Sequence, residues 1–534
     1  MRFFTVAAAL VSFASVALGQ DQAVRALSQA SGSVESAKRV FDGDKNGGVV
    51  AAPVQGADAS RPSPLLPAAP SPAPQAPAAD LDFSKPFSDG FVGLYPQGDF
   101  TLTTGHRCAD CNAPKEGLWY FEDEVIAVPK TGQAGIVWIG STQMLEHVTL
   151  SADGQSIRLT DGAVVPFKLT PKIQSNRSFY NQSTVDYFQN RPLRVRGEWA
   201  VKDGVKTFVA RTIWPEDQRV DISHLKTADV KSAKDIDALV TKDDGGPKDP
   251  YSATLLWKNG EDAASWSGKP VMGLMLNGGQ GDDDESQGGH FSLFTGRMGP
   301  NGEMADWMFD NFYDMDQYSE KGIIAGMVPM DKYMADVNSG QSYYRPTQMI
   351  VAVMKDDALA RKVQDDFKTR YQQYYAHQIK YDHTHNACTS LIVDVLRADG
   401  WDYPLAGPSP GLSRFSLSML AGVFSLSPKK YADVNDALSQ ERTHLFPRAA
   451  FDSLSGDMIG MADGSVKRQL TPFEEQLKDG LVALVLVQLP QFPSSRAFGQ
   501  FPVADGVEYF HRAPLLPSNW KTVPTLPRSF PPPH

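Results

Sequence analysis

The sequence predicts a multidomain protein in which a β-rich sandwich or small barrel precedes an α+β domain. The chain has 534 residues, whereas one domain usually takes about 100–200. Between about 83 and 225, short apolar runs alternate with Gly, Asn and Asp, as in antiparallel strands joined by tight turns. From residue 269 onward, strand-like runs are followed by segments with helical periodicity, which indicates the α+β part.

The composition is that of an ordinary globular protein and excludes some partners. Hydrophobic residues make up 42% and charged residues 21%, so the chain can bury a core. The net charge is −11, and the sequence contains no run of Lys and Arg. Nucleic acids and anionic membranes attract clustered positive charge. We therefore expect no nucleic-acid partner.

Residues 1–19 have the pattern of an export signal. Arg2 precedes an apolar stretch from Phe3 to about Val16, and Ala17-Leu18-Gly19 offers small residues for cleavage before Gln20. The alternative is a membrane anchor, but the stretch is short and lacks a charged flank after it. The sequence therefore predicts a secreted or periplasmic protein with no transmembrane segment.

Residues 20–82 are predicted to be a disordered tether rich in Pro and Ala, because they contain few large apolar side chains. Asp42–Val49 matches the first half of an EF-hand calcium loop. The loop's twelfth position is Pro53 rather than Glu, so a solvated linker is the favoured interpretation. The remaining predicted parts are a β-rich accessory domain (83–225), a linker (226–250), the α+β domain (251–420) and a C-terminal extension that packs on the core (421–534).

The α+β domain is predicted from the order of its segments. Two strands, 269–276 and 290–298, flank a Gly-rich acidic loop, and 303–313 completes a hairpin with the second strand. A further strand is predicted at 346–354. A helix follows within 356–378, where apolar residues recur at four-residue steps.

The three cysteines divide into a close pair and a single residue. Cys108 and Cys111 are near enough in sequence to form a disulfide with each other, which leaves Cys388 as a thiol. Cys388 falls in the first turn of a predicted helix that Asn386 caps and Gly400 ends. There the backbone N–H groups and the helix dipole favour a thiolate. Cys388 is therefore the candidate nucleophile.

A thiolate nucleophile needs a base, and three histidines are candidates: His290, His383 and His385. We prefer His290, because it opens a strand directly after the Gly-rich loop. Asp306 and Asp310 are predicted to share one face of the next strand, where either could orient the imidazole. Of the two, we prefer Asp306.

Other interpretations of these residues remain open. His383, His385 and Cys388 could together hold zinc, although their spacing fits no zinc signature. Cys388 could equally be a small hydrophobic residue of the core. The acidic run Asp282–Glu285 is predicted to be a solvated loop. No dinucleotide or phosphate-binding fingerprint is present, so we expect no cofactor.

Three short motifs together resemble a known family. They are GGHFSLFTGR, which contains His290; Tyr381-Asp382; and Asn386-Ala387-Cys388-Thr389. In this order they resemble the circularly permuted NlpC/P60-like papain-fold cysteine hydrolases, over about residues 269–401. The resemblance implies a papain-like α+β fold, with Cys388 as nucleophile, His290 as base and, by position alone, Asp306 as the third residue. An insert at about 314–345 and the C-terminal extension depart from the family pattern.

The sequence thus predicts an exported cysteine hydrolase or acyltransferase that acts on an amide, isopeptide or ester bond. Its expected substrate is a cell-wall peptide, a protein or a lipid ester. The alternative hypothesis is a non-catalytic secreted or envelope protein that binds or scaffolds, with Cys388 buried in its core.

Overall fold

The structure is a computed structural model, and it describes residues 91–104, 125–130, 137–138, 141, 143–169, 182–242, 251–278, 289–312, 325–337, 340–343, 347–375, 378–379, 386–408, 439–490 and 492. Several predictions lie outside these residues: the export signal (1–19), the tether (20–82), the Cys108–Cys111 disulfide, the acidic run Asp282–Glu285, and His383 and His385.

The described strands are, in chain order, β1 (Phe91–Val92), β2 (Tyr95–Pro96), β3 (Phe100–Thr104), β4 (Val125–Pro129), β5 (Val137–Trp138), β6 (Gln143–Leu150), β7 (Ser156–Arg158), β8 (Val164–Leu169), β9 (Leu193–Lys202), β10 (Val205–Pro215), β11 (Lys226–Thr227), β12 (Ser252–Lys258), β13 (Pro270–Asn277), β14 (His290–Arg297), β15 (Met308–Phe312), β16 (Ala325–Pro329), β17 (Thr347–Met354) and β18 (Leu481–Leu489).

The described α-helices are α1 (Gln182–Phe188), α2 (Ala233–Lys242), α3 (Met330–Ala335), α4 (Ala358–Tyr375), α5 (Cys388–Asp399), α6 (Arg442–Leu445), α7 (Pro447–Asp463) and α8 (Pro472–Gly480). Among the described residues, no helix is both long enough and apolar enough to cross a membrane.

Strands β6 to β10 form a closed barrel in the order β10-β8-β7-β6-β9. The β9–β10 hairpin shows how the sequence specifies it: Lys202 pairs with Val205 across the two-residue loop Asp203-Gly204. Both loop residues have positive φ, 52° and 78°, the geometry that a tight antiparallel hairpin requires. The barrel interior is apolar and includes Ile157, Phe167, Leu193, Val195 and Phe208. The predicted β-rich region therefore does contain a small barrel.

The remaining large sheet has eleven described strands in the order β11-β12-β18-β17-β13-β14-β15-β16-β5-β4-β3. Its central strands, β13, β14, β17 and β18, are almost entirely buried. Strands β3 to β5 come from the predicted β-rich region but join this sheet through the β5–β16 pair. Strand β18, near the C-terminal end of the described chain, lies between β12 and β17.

The two faces of the sheet are covered differently. On one face, Thr295 donates a hydrogen bond to Gln364 of α4 (3.0 Å), and α5 and α7 pack on β14 beside it. On the other face, Ser292 lies 3.0 Å from the hydroxyl of Tyr333, which belongs to α3. Helix α3 packs in turn on barrel strand β10. The sheet therefore has a helical layer on one side, and α3 and the barrel on the other.

Buried ion pairs join the barrel to the residues around α3. Arg196 binds Asp331 at 2.6 Å, and Arg211 binds Asp336 at 2.9 Å. All four side chains are 2% exposed or less. Because burying an unpaired charge is costly, these pairs fix the barrel strands against α3.

Candidate functional site

Cys388 is the first residue of α5, as the sequence predicts. The predicted cap is wrong: the helix is preceded by Ala387 in extended conformation, which makes no side-chain cap, and Asn386 lies one residue earlier. The predicted end is confirmed, because Gly400 follows α5 with φ of 108°. Since the alanine side chain cannot accept a hydrogen bond, no N-cap side chain competes for the first N–H groups of α5.

The Cys388 side chain is buried, with 8% of its surface exposed. Its Sγ lies 3.8 Å from the hydroxyl oxygen of Thr389. Burial in apolar surroundings favours the neutral thiol, whereas the helix start favours the thiolate. The reactivity of Cys388 therefore depends on what else faces the sulfur.

His290 is the first residue of β14 and pairs across the sheet with Asn277, the last residue of β13. The amide nitrogen of Asn277 donates to Thr347 (2.6 Å), and its oxygen accepts from the hydroxyl of Tyr333 (3.3 Å). The Tyr333 ring stacks on the imidazole of His290 with centroids 6.4 Å apart. With Ser292, these residues form a buried polar group that we name the rim cluster: Asn277, His290, Ser292, Tyr333 and Thr347.

Contacts of α4 relate the ends of β14, which begins at His290, to the ends of α5, which begins at Cys388. Arg297 at the C-terminal end of β14 binds Asp357, just before α4. Lys362, near the start of α4, binds Asp399 at the C-terminal end of α5. Because α5 packs on β14 and the C-terminal ends of both contact the start of α4, we infer that their N-terminal ends lie on the same side of the sheet.

The His290 side chain and helix α5, which begins at Cys388, nevertheless lie on different faces of the sheet. His290 shares a face with Ser292 by strand alternation and stacks on Tyr333. Helix α5, with Cys388, packs on the opposite face beside α4. Because His290 is the first residue of β14, the end of that strand is where an imidazole on one face could approach a thiol on the other.

The predicted strand that carries Asp306 is wrong at its start. Strand β15 begins at Met308, and Asp306 lies in the preceding turn, where the N–H of Trp307 bonds to the carbonyl of Met304. The Asp306 carboxylate accepts hydrogen bonds from Arg194 at 2.6 and 3.1 Å, and from Arg196 at 3.4 Å. Asp306 is thus part of the ion pairs that join barrel and sheet.

Asp310 does lie on β15, but on the face that α4 covers. Its carboxyl oxygen accepts a hydrogen bond from Tyr371 at 3.1 Å. Burial raises the pKa of Asp310 well above its usual range, although Tyr371 and Lys368 act in the opposite direction. A carboxyl group that favours its neutral form on the face away from His290 is poorly suited to stabilise an imidazolium.

Asn277 is a member of the rim cluster that the sequence analysis did not single out. It stands directly opposite His290 and is fully buried, and both ends of its amide are hydrogen bonded. The available signal was its position: Asn277 directly follows the predicted strand 269–276, at the start of the Gly-rich loop that leads to His290. A hairpin across that loop places the two residues side by side.

No protein-family model matches this chain, and neither does any curated protein or solved structure with which it was compared. Within the described part of the chain, no three His, Cys, Asp or Glu side chains are grouped as metal ligands would be. The zinc hypothesis involves His383 and His385, which lie outside that part.

Proposed function

We propose that this protein is an exported cysteine hydrolase or acyltransferase with a papain-like core. One observation carries the proposal: Cys388 begins a helix whose start has no side-chain cap, at the end of the sheet where His290 begins its strand. A thiol at a helix start with a histidine nearby is a suitable nucleophile–base pair. Support for the papain-like core comes from this helix packing on an antiparallel sheet.

The reaction would proceed through a thioester. The sulfur of Cys388 attacks the carbonyl carbon while His290 takes the thiol proton, and the N–H groups at the start of α5 stabilise the oxyanion. When the tetrahedral intermediate collapses, the bond to the leaving group breaks and His290 returns the proton to that group. Water then hydrolyses the thioester, or another nucleophile accepts the acyl group.

We assign the orienting role to Asn277 rather than Asp306. A third residue in such a triad holds the imidazole in one orientation. Asn277 is the cross-strand neighbour of His290, whereas Asp306 is engaged by two arginines. The bonds from Tyr333 and to Thr347 keep the amide of Asn277 in place.

The substrate is proposed only as a class. The signal-like sequence at 1–19 supports export, and therefore substrates found outside the cytosol. An amide, isopeptide or ester bond in a cell-wall peptide, a protein or a lipid fits the chemistry of a thiolate nucleophile. The mechanism needs no cofactor.

A second candidate is a non-catalytic binding or scaffold protein. The observation that favours it is the placement of α5 on the face of the sheet opposite Tyr333 and the His290 ring. If the sulfur stays under that helix layer, Cys388 is a core residue, since it is only 8% exposed.

Alkylation of Cys388 separates the two candidates. Purified protein is treated with iodoacetamide from about pH 5 to 9, and labelling of Cys388 is followed by peptide mass. For the enzyme, we expect an apparent thiol pKa below about 8.5, and at least about tenfold slower labelling of His290→Ala at neutral pH. The exposed His224 provides the matched control, and His224→Ala should label like wild type.

The scaffold is favoured instead if Cys388 labels only after denaturation. It is also favoured if His290→Ala and wild type label at the same rate across the whole pH range. Either result would show that His290 does not activate Cys388, as the proposed mechanism requires.

A further inference from the structure

Tyr333 contacts three members of the rim cluster with one side chain. Its hydroxyl lies 3.0 Å from Ser292 and donates to Asn277 at 3.3 Å. Its ring lies over His290, with an angle of 28° between the ring planes. The same ring stacks on Phe309 at 5.1 Å, and Tyr333 is only 5% exposed. The position of Tyr333 is therefore coupled to the positions of both the amide and the imidazole.

The barrel in turn determines where Tyr333 lies. The residues beside it in the chain, Asp331 and Lys332, are buried and ion paired: Asp331 binds Arg196 of β9, and Lys332 binds Asp336. Asp336 also binds Arg211 of β10. Because these charges are buried, separating any pair would be costly, and α3 has little freedom to shift.

We propose that Tyr333 is a positioning residue of the candidate site. Its hydroxyl holds the oxygen of Asn277, its ring restricts the imidazole of His290 from the side away from α5, and the barrel keeps α3 in place. The barrel thereby helps to position the site, although it does not contact the reacting atoms. This inference rests on the proposed function, because it assigns a role relative to the His290 base.

The test is the pH dependence of Cys388 alkylation in Tyr333→Phe, measured on the full chain. This variant keeps the ring and removes only the hydroxyl. We expect labelling at neutral pH to slow by about threefold to tenfold, which corresponds to a change of about 0.5 to 1 in the apparent pKa. A purely structural role would leave the pH profile of folded protein unchanged.

Two further variants keep the test decisive. Ser292→Ala removes a second partner of the same hydroxyl and should move the profile in the same direction, even if Tyr333→Phe fails to fold. Tyr251→Phe is the matched control: its hydroxyl bonds to the carbonyl of Arg219, away from the rim cluster, and its profile should equal that of wild type.

The outcomes distinguish this inference from the proposed function. If His290→Ala changes the profile but neither Tyr333→Phe nor Ser292→Ala does, the positioning role is refuted and the Cys–His pair stands. If Tyr251→Phe shifts the profile as much as Tyr333→Phe, the effect is general and the inference fails. If His290→Ala has no effect, the proposed function itself fails.

Discussion

Asp310 illustrates how burial changes the chemistry of a single carboxyl group. One of its oxygens accepts a hydrogen bond from Tyr371, and the other has no hydrogen-bond partner among the described residues. Burial raises its pKa well above the usual value of 3.8, which outweighs the opposing effects of Tyr371 and Lys368. The folded protein therefore favours the protonated carboxylic acid of Asp310. The neutral amide of asparagine resembles this form.

We predict that Asp310→Asn makes the stability of the protein less dependent on pH. A raised pKa in the folded state stabilises the fold below about pH 4, and this contribution is lost as pH rises through the folded-state pKa. Asparagine cannot ionise, so the unfolding free energy of the variant should fall less than that of wild type over this range. Urea denaturation at a series of pH values measures this dependence of the unfolding free energy on pH.

Asp229→Asn serves as the control for this titration, because Asp229 is 83% exposed. The change in slope relative to wild type should be larger for Asp310→Asn than for Asp229→Asn. Equal slopes for Asp310→Asn and wild type would show that Asp310 ionises normally in the folded protein.

At the scale of elements, the two ends of α5 differ. Its start has no side-chain cap, whereas its end is closed by hydrogen bonds from the N–H of Gly400 to the carbonyl of Arg397 and from the N–H of Trp401 to the carbonyl of Leu396. Gly400 has φ of 108°, which side-chain-bearing residues rarely adopt. The sequence therefore fixes where α5 ends more firmly than where it begins.

We predict that Gly400→Ala lowers the unfolding free energy by about 1–2 kcal/mol, because alanine at positive φ is strained. The new Cβ would also lie 3.3 Å from the Cβ of Phe473. The matched control is Gly464→Ala at the end of α7, where φ is 75° and the added Cβ would meet open space. Thermal and urea denaturation should show the larger loss for Gly400→Ala, and an equal or smaller loss would contradict this account of the helix end.

At the scale of the whole molecule, the interface between barrel and sheet is balanced in charge. Among the described residues, the ion pairs there involve four cationic and four anionic side chains: Arg194, Arg196, Arg211 and Lys332, with Glu146, Asp306, Asp331 and Asp336. Burial opposes the charge on Arg194, but Asp306 and Asp331 outweigh it and raise the pKa of that guanidinium. The buried arginines of the interface therefore keep their charge because carboxylates are paired with them.

Local patterns predicted the elements that depend on local interactions. The strand of His290 and the helix from Cys388 to Asp399 follow from apolar periodicity and from Gly400. The turn that contains Asp306 was missed, because its geometry depends on contacts with distant barrel arginines.

Local sequence patterns also could not predict which strands pair in the large sheet. Strands β3 to β5 pair with β16, and β18 enters between β12 and β17, across long sequence separations. Alternation along a strand says which residues share a face, but not which face meets which helix. The relation of His290 to α5 could therefore not be predicted.

The central claim is that the thiol of Cys388 and the imidazole of His290 meet around the end of β14. NMR titration of the His290 imidazole in wild type and in Cys388→Ser tests it most directly, with the resonance identified by its loss in His290→Ala. A neighbouring thiolate favours the imidazolium, so His290 should keep its proton to a higher pH in wild type than in Cys388→Ser. Identical titration curves in the two proteins would show that the groups do not interact, and would contradict the proposed cysteine–histidine pair.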